Sequence, residues 1–215
     1  MRKLVIVFFI LTFSCSAPHK EDPKLPILGR RETTEKKVNG KMVIDTTYHT
    51  VGDFKFLDQD SNWVSQETFK DKIYVADFFF TSCPTICPKM KAQMLRVYDQ
   101  FLDNDEVLIL SHSIDPETDS VGRLREYAER LGIKSEKWHM VTGEKQDIYK
   151  MGQESYIVTA KEDENAEGGF LHSGAFLLVD KNRQIRGVYD GTDEMKVDKL
   201  IQDIPRLLGE YQKGQ

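Results

Sequence analysis

The run IYVADFFF, Ile73 to Phe80, limits what this chain can fold into more than any other stretch. Almost continuously apolar and aromatic, it fits a central strand covered on both faces, as in parallel sheets flanked by helices. Asp77 interrupts the run and requires a buried partner. Downstream, Met90, Met94, Val97 and Phe101 fall at helical spacing and predict a helix over 88–102. Val107 to Ile114 reads as a second buried strand, and Val121, Leu124, Ala128 and Leu131 share one face of a further helix that Gly132 is placed to end. Strand, helix, strand and helix in alternation predict an α/β domain with a parallel core and crossover helices.

The flanking segments complete a mixed sheet. Asn39–Gly40, set between Lys37–Val38 and Lys41–Ile44, is a two-residue hairpin signal. Phe54 to Leu57 predicts a short strand, 65–69 a helical turn, Trp138 to Val141 an edge strand, and Glu144 to Met151 a short helix stopped by Gly152. Tyr156 to Ala160 reads as another strand. Ala175 to Asp180 and Gln184 to Tyr189 predict an antiparallel pair around a turn at 181–183. Val197, Leu200, Ile201, Ile204 and Leu208 mark a final amphipathic helix, kinked at Pro205. Neither a GxGxxG nor a GxxxxGK[ST] stretch is present, so the common nucleotide-binding signatures are absent from the sequence.

The 215 residues, 40% apolar, suit one domain plus a tail. Arg2 and Lys3 precede an apolar run from Leu4 to Phe13, about ten residues against the ~20 that a membrane-spanning helix needs, so residues 1–14 read as an export signal. Small Ser14 before Cys15 resembles a bacterial lipoprotein processing site with Cys15 as the lipidated mature N-terminus. Ordinary cleavage nearby and an uncleaved anchor are the alternatives. Residues 15–37, with Pro18, Pro23, Pro26 and the run RRETTEKK, read as a tether, and 38–212 as the folded domain. Loss of the first fourteen residues moves the formal net charge from −5 to −7, which speaks against nucleic acid as a partner. The resulting location is extracytoplasmic, in a bacterial cell envelope on the periplasmic side.

Cys83 and Cys87, in FTSCPTICPKM at the end of the central strand, carry the chemistry. Export places them in an oxidising compartment, where a neighbouring pair closes into a disulfide unless a reductant or a metal intervenes. A helix N-terminus lowers thiol pKa through its unsatisfied N–H groups and positive dipole end. Both cysteines precede a proline, and the preferred reading makes Cys87 the helix cap with Cys83 in the loop before it. If 83–87 were helical, the two Cβ atoms would stand roughly 5–6 Å apart, against about 3.5–4.5 Å for an unstrained disulfide. That spacing favours a bridging metal, while a loop conformation leaves the disulfide open.

An imidazole is the natural addition to two soft sulfurs. His19 lies in the tether, His49 near the hairpin, and His112 and His139 in strands, where a structural role is the usual one. His172 stands on a glycine-bearing approach to the strand Ala175–Asp180, whose N-terminal loop can face the cysteine loop. No proline occurs between Pro116 and Pro205, so the substrate-docking cis-proline of thioredoxin-like oxidoreductases has no counterpart, and Leu171–Gly174 occupies its place.

FTSCPTICPKM, SIDPETDS at 113–120, the Trp138–Gly143 segment and LHSGAFLLVD at 171–180 together resemble the Sco/SenC family over roughly residues 50–210. The resemblance implies a thioredoxin-like fold and a membrane-tethered copper protein associated with the dinuclear copper centre of cytochrome c oxidase. It also implies Cys83, Cys87 and His172 as ligands of Cu(I) or Cu(II), with Asp115 of the SxDP turn as an outer-sphere residue or a simple turn cap. Implied partners are the oxidase's copper-bearing subunit and a thiol reductant. The other class of function is a thiol–disulfide oxidoreductase acting through Cys83 and Cys87 without His172. A peroxidase would want threonine three residues before its cysteine, where Phe80 and Pro84 stand instead, and structural zinc would want a fourth ligand.

Overall fold

A computed structural model describes residues 23–163 and 170–212, with the backbone alone at 171 and 172. The central strand β5 (Ile73–Phe79) is buried at every position, as is its parallel neighbour β6 (Val107–Ser113), paired from Ile73 with Val107 to Phe79 with Ser113. Helix α1 (Ile86–Gln100) connects them. Helix α2 (Val121–Leu131), capped by the Ser120 side chain and ended by Gly132 at a φ of 71°, leads to the parallel strand β7 (Trp138–Thr142). Both crossovers run in the same direction across the sheet, and α1 and α2 lie on one face.

Antiparallel strands extend this core at both sides. Strands β3 (Lys55–Asp58) and β4 (Trp63–Ser65) continue beyond β7, while β10 (Ala175–Val179) pairs with β5 and β11 (Ile185–Asp190) forms the far edge. Helix α4 (Glu194–Gln212) packs against α1 and β11, its ion pair from Asp198 to Arg96 closing the seam, and it runs on through Pro205. The result is the expected mixed sheet flanked by helices. Its N-terminal hairpin is β1 (Arg31–Val38) with β2 (Lys41–Tyr48), turned by Asn39 and Gly40 at φ of 50° and 80°, as the two-residue primed turn requires.

Four expectations change. The strand expected at an edge, β7, lies inside the sheet, paired with β6 on one side and β3 on the other and buried throughout. The tether expected to run to residue 37 is ordered earlier, because Leu25 is buried with its N–H on Glu210 Oε1 at 2.7 Å, and Arg186 holds the carbonyls of Leu25 and Pro26. The strand expected at 156–160 does not form. Helix α3 (Lys145–Lys150) instead passes into a π turn over Met151–Ser155, Tyr156 N–H closes on Met151 O, and Ile157 adopts a φ of 57°. Strand β8 (Ala160–Glu162) begins only after that, pairing with β9 (Phe170–His172) in a separate two-stranded ribbon. The helix expected from Pro88 begins at Ile86, placing Cys87 in its first turn and not at its cap. Pro88 is tolerated there because first-turn N–H groups have no intrahelical acceptor to lose.

Alternation along β5 and β6 divides the core chemically. On the α1 side, Asp77 meets Lys91 Nζ at 2.8 Å, and Ser111 Oγ donates to Asp77 while receiving Lys91 at 3.1 Å and Trp138 Nε1 at 2.8 Å. Lys91 Nζ also sits 3.9 Å from the centroid of Phe79. Both ions are essentially inaccessible to solvent. On the opposite face, His112 stacks on Phe78 with centroids 4.9 Å apart and meets Phe54, Phe56 and Tyr156 at 5.5–5.9 Å. Neither ring nitrogen of His112 has a hydrogen-bond partner among the described residues, and burial lowers its pKa to about 3.

Removing one member of the ion pair leaves a buried charge. Lys91→Met is expected to cost about 3–5 kcal/mol in urea unfolding, and Lys91→Met with Asp77→Leu to recover most of that loss. His112 binds a proton in the unfolded chain below its ordinary value of 6.5 but not in the folded one, so stability falls as pH drops below 6.5. Between pH 6.5 and 5 this group removes ~2 kcal/mol, a loss that His112→Phe is expected to abolish when unfolding midpoints are compared across that range.

Candidate metal centre

The cysteine loop leaves the C-terminal end of β5, beside the end of β6, where α/β sites gather because several strands end together. Cys83 N–H donates to Phe80 O at 3.3 Å, closing a turn. Helix α1 then starts after Thr85, whose hydroxyl lies 4.0 Å from Cys83 Sγ. Both cysteines are buried and no disulfide joins them.

Their environments push the two sulfurs in opposite directions. Burial alone would raise the Cys83 pKa. The Cys87 side chain and the backbone N–H groups of Cys87 and Thr85, all directed at Cys83 Sγ, outweigh burial and hold the thiol below its ordinary value. The Cys87 N–H is one of the first-turn donors that the helix itself leaves unused. Cys87 moves up, because burial and its bond to Cys83 both favour the protonated form, and Lys91 one turn further along α1 offsets only part of this. The reduced site is therefore asymmetric: Cys83 gives up its proton more readily than an ordinary cysteine, and Cys87 holds its proton more firmly.

The loop is fixed from the side by Asp119. This fully buried carboxylate accepts Thr81 N–H at 3.0 Å and Ser113 Oγ at 2.6 Å, and it also takes the Thr81 hydroxyl. Arg123, the i+4 neighbour of Asp119 on α2, donates to Thr81 Oγ1 at 2.6 Å. Asp115 does turn work: its carboxylate accepts Thr118 N–H at 3.3 Å and its carbonyl accepts Asp119 N–H at 2.8 Å. Lys91 and Asp119 were the residues that sequence reasoning passed over. For Lys91 the signal existed, since Cys87, Lys91, Met94 and Tyr98 recur at helical spacing and are all buried. Asp119 lies in an irregular loop with no period to reveal it.

His172 ends β9, its backbone opposite Ala160, and its side chain lies outside the described residues, as does all of Cys15. The strand that carries it does reach the cysteine loop. Phe170 packs on Phe80 with centroids 5.0 Å apart, and a Cβ on Gly174 would stand 4.0 Å from Ile86 Cδ1. Residues two before and two after His172 thus meet positions 80 and 86, which lie on either side of Cys83, with Cys87 directly after the second. Among the described residues, no group of three His, Cys, Asp or Glu forms a metal site, and no helix is long and apolar enough to cross a membrane.

Known proteins share this arrangement of elements. The profile of the family described as SCO1/SenC matches residues 43–209. A SCO1/SenC family lipoprotein from Bacillus anthracis is 28% identical with a TM-score of 0.68, the likeness covering 74% of this chain and 95% of that one. BsSco, described as a member of the Sco family of cytochrome c oxidase assembly proteins and as having a disulfide switch, is 31% identical with a TM-score of 0.65 over 73% and 92% of the two chains. Copper-bound ScoI from Arabidopsis thaliana is 25% identical with a TM-score of 0.62 over 75% and 99%. These likenesses bear out the thioredoxin-like expectation.

The thiol asymmetry has a direct readout. Iodoacetamide applied to the reduced protein near neutral pH is expected to modify Cys83 at least about tenfold faster than Cys87, with a rate midpoint below the ~8.5 of a free cysteine. Peptide mass spectrometry assigns the label, and equal labelling of the two would contradict the geometry.

Proposed function

The chain belongs to the SCO1/SenC family, and from that membership we propose that it carries copper outside the cytoplasm and delivers it to, or prepares, the dinuclear copper centre of cytochrome c oxidase. The observation that carries this reading is the pair of buried cysteines, joined by no disulfide, at the mouth of α1, one of them more acidic than an ordinary thiol, beside the backbone of the strand that ends in His172. Copper is the cargo, with Cys83, Cys87 and His172 as its ligands. Two soft sulfurs favour Cu(I) and the imidazole also suits Cu(II), so the donor set accepts either.

Loading requires Cys87 to lose the proton it keeps in the metal-free state, so copper uptake releases protons and weakens as pH falls. Asp119 holds Thr81 and with it the start of the loop, so that Cys83 meets the metal in one position. Release to an acceptor proceeds by exchange of thiolates, an acceptor cysteine replacing Cys83 or Cys87 in turn. Support for the acceptor comes from BsSco's description, and for the metal from the copper-bound Arabidopsis relative. In this reading Cys15 is lipidated and holds the domain at a membrane on the periplasmic side of a bacterial envelope, as the lipoprotein relative suggests.

The second reading is a thiol–disulfide oxidoreductase, favoured by the lowered pKa of Cys83 beside a second thiol. Here Cys83 attacks one sulfur of an acceptor disulfide and the other leaves as thiolate. Cys87 then displaces the acceptor from the mixed disulfide, leaving a Cys83–Cys87 disulfide and a reduced acceptor pair. A thiol reductant resets the site by the reverse exchange. This reaction does not involve His172.

Copper titration of the reduced protein separates the readings. Cys83→Ser, Cys87→Ser and His172→Ala are each expected to lower copper affinity by more than the roughly 10- to 100-fold that follows loss of a mere outer-sphere partner. Undiminished stoichiometric binding in all three would reject the site. A His172→Ala variant that keeps full oxidase-assembly activity while losing copper would favour the oxidoreductase.

A further inference from the structure

The β1–β2 hairpin stands apart from the core in composition as well as in pairing. It is a two-stranded sheet of its own, and none of its sixteen strand residues is buried. Met42 and Ile44 are 62% and 68% exposed, and Val38 and Val43 about half exposed. An isolated two-stranded ribbon is marginal in water, and an exposed apolar cluster on one calls for a partner.

The distribution of the apolar residues identifies the kind of partner. A ribbon lying flat on a protein surface would sort its side chains by face, with apolar residues at every second position of a strand. This one sorts them by distance from the turn. The first four cross-strand pairs, Val38 with Lys41 through Glu35 with Ile44, hold all four aliphatic side chains and both faces share them. The next three pairs hold only threonine, aspartate and glutamate. An apolar end that is apolar on both faces suits insertion into a medium that surrounds it.

Charge points the same way. The apolar end carries Lys36, Lys37 and Lys41 against Glu35 alone, on a chain whose formal net charge is −5. Lys36 reaches back to Asp45 at 2.6 Å, towards the polar half. Lysines around an aliphatic tip keep their ammonium groups at the level of lipid headgroups while their stems lie along the apolar residues.

We propose that the tip of the β1–β2 hairpin docks end-on into the headgroup region of an anionic phospholipid bilayer, a second membrane contact beside the acyl anchor. The inference rests on the proposed anchoring at Cys15 for the membrane's proximity. From Cys15 to the first buried residue, Leu25, the chain spans ten residues and so at most about 36 Å. The eight-residue strands of the hairpin extend roughly 27 Å, so the tip can reach the plane that holds the anchor. Two contacts restrict how the domain is turned at the membrane, where a tether alone leaves it free to rotate.

Amide hydrogen exchange of the full chain tests this, read by mass spectrometry in phosphatidylglycerol vesicles, phosphatidylcholine vesicles and detergent. Exchange across 36–44 is expected to slow roughly tenfold in phosphatidylglycerol vesicles relative to the other two. Met42→Asp with Ile44→Asp, and separately Lys37→Gln with Lys41→Gln, should remove the slowing, and both pairs are exposed enough to leave the fold intact. Unchanged exchange in all three media would overturn the proposal, as would slowing that follows protein concentration in detergent, which would mean that a second copy covers the hairpin. The N-terminal peptide in the same digests reports acylation of Cys15: an acylated chain with an unprotected hairpin overturns the docking and leaves the anchoring intact, and a protected hairpin on an unacylated chain does the reverse.

Discussion

The buried ion pair between Asp77 and Lys91 joins the central strand to the helix that begins at the cysteines, and the position of the site follows from it. Each charge alone would be costly so deep in the core, where a removed partner leaves several kcal/mol uncompensated. Ser111, Trp138 and the ring of Phe79 complete the surroundings of the ammonium and the carboxylate, so only one placement of α1 on the sheet satisfies all of them. Cys87 stands one turn before Lys91 on the same face of α1 and is fixed in height by it. Cys83, held through its bonds from Thr85 and Cys87, takes its place from that first turn.

A second anchor acts from the neighbouring loop. Asp119 draws the residues just after β5 towards the start of α2, and Arg123 shares the hydroxyl of Thr81. One anchor holds the helix that follows the cysteine loop and the other holds Thr81 at the loop's start. The proposed metal transfer would profit from such a frame, because the loop need not reorganise when a ligand is exchanged. The His172 strand belongs to a different body of structure, the ribbon of β8 and β9, entered through a π turn and the left-handed Ile157. In the proposed function, two of the three ligands stand at the mouth of α1 and the third is carried on a separate ribbon, an arrangement that suits passing a metal on.

Much of this was legible in the sequence because the core elements carry strong periods. The unbroken apolar run of β5, the stripes of α1, α2 and α4, and the Asn39–Gly40 turn each have one physical reading. Asp77 announced that it needed a partner, and Lys91 shares the stripe of Cys87, Met94 and Tyr98, but that signal is easily passed over because a lysine beside an apolar stripe ordinarily points to water. The start of α1 was misplaced by two residues because Pro88 suggests a first position, whereas any place in the first turn spares it. The strand expected at 156–160 failed for a different reason: Tyr156 packs against Phe78 and His112 from a turn, a tertiary preference that no local pattern reveals. The ribbon that carries His172 has only three residues in each strand, too few to show a period, and Phe170 packs on Phe80.

X-ray absorption spectroscopy of the copper-loaded, reduced protein tests the central claim most directly. The account predicts two sulfur neighbours and one imidazole nitrogen around each copper, with the imidazole scattering lost in His172→Ala while both sulfurs remain. A spectrum with two sulfurs and no imidazole in the unaltered protein, or one unchanged by His172→Ala, would contradict the three-ligand carrier.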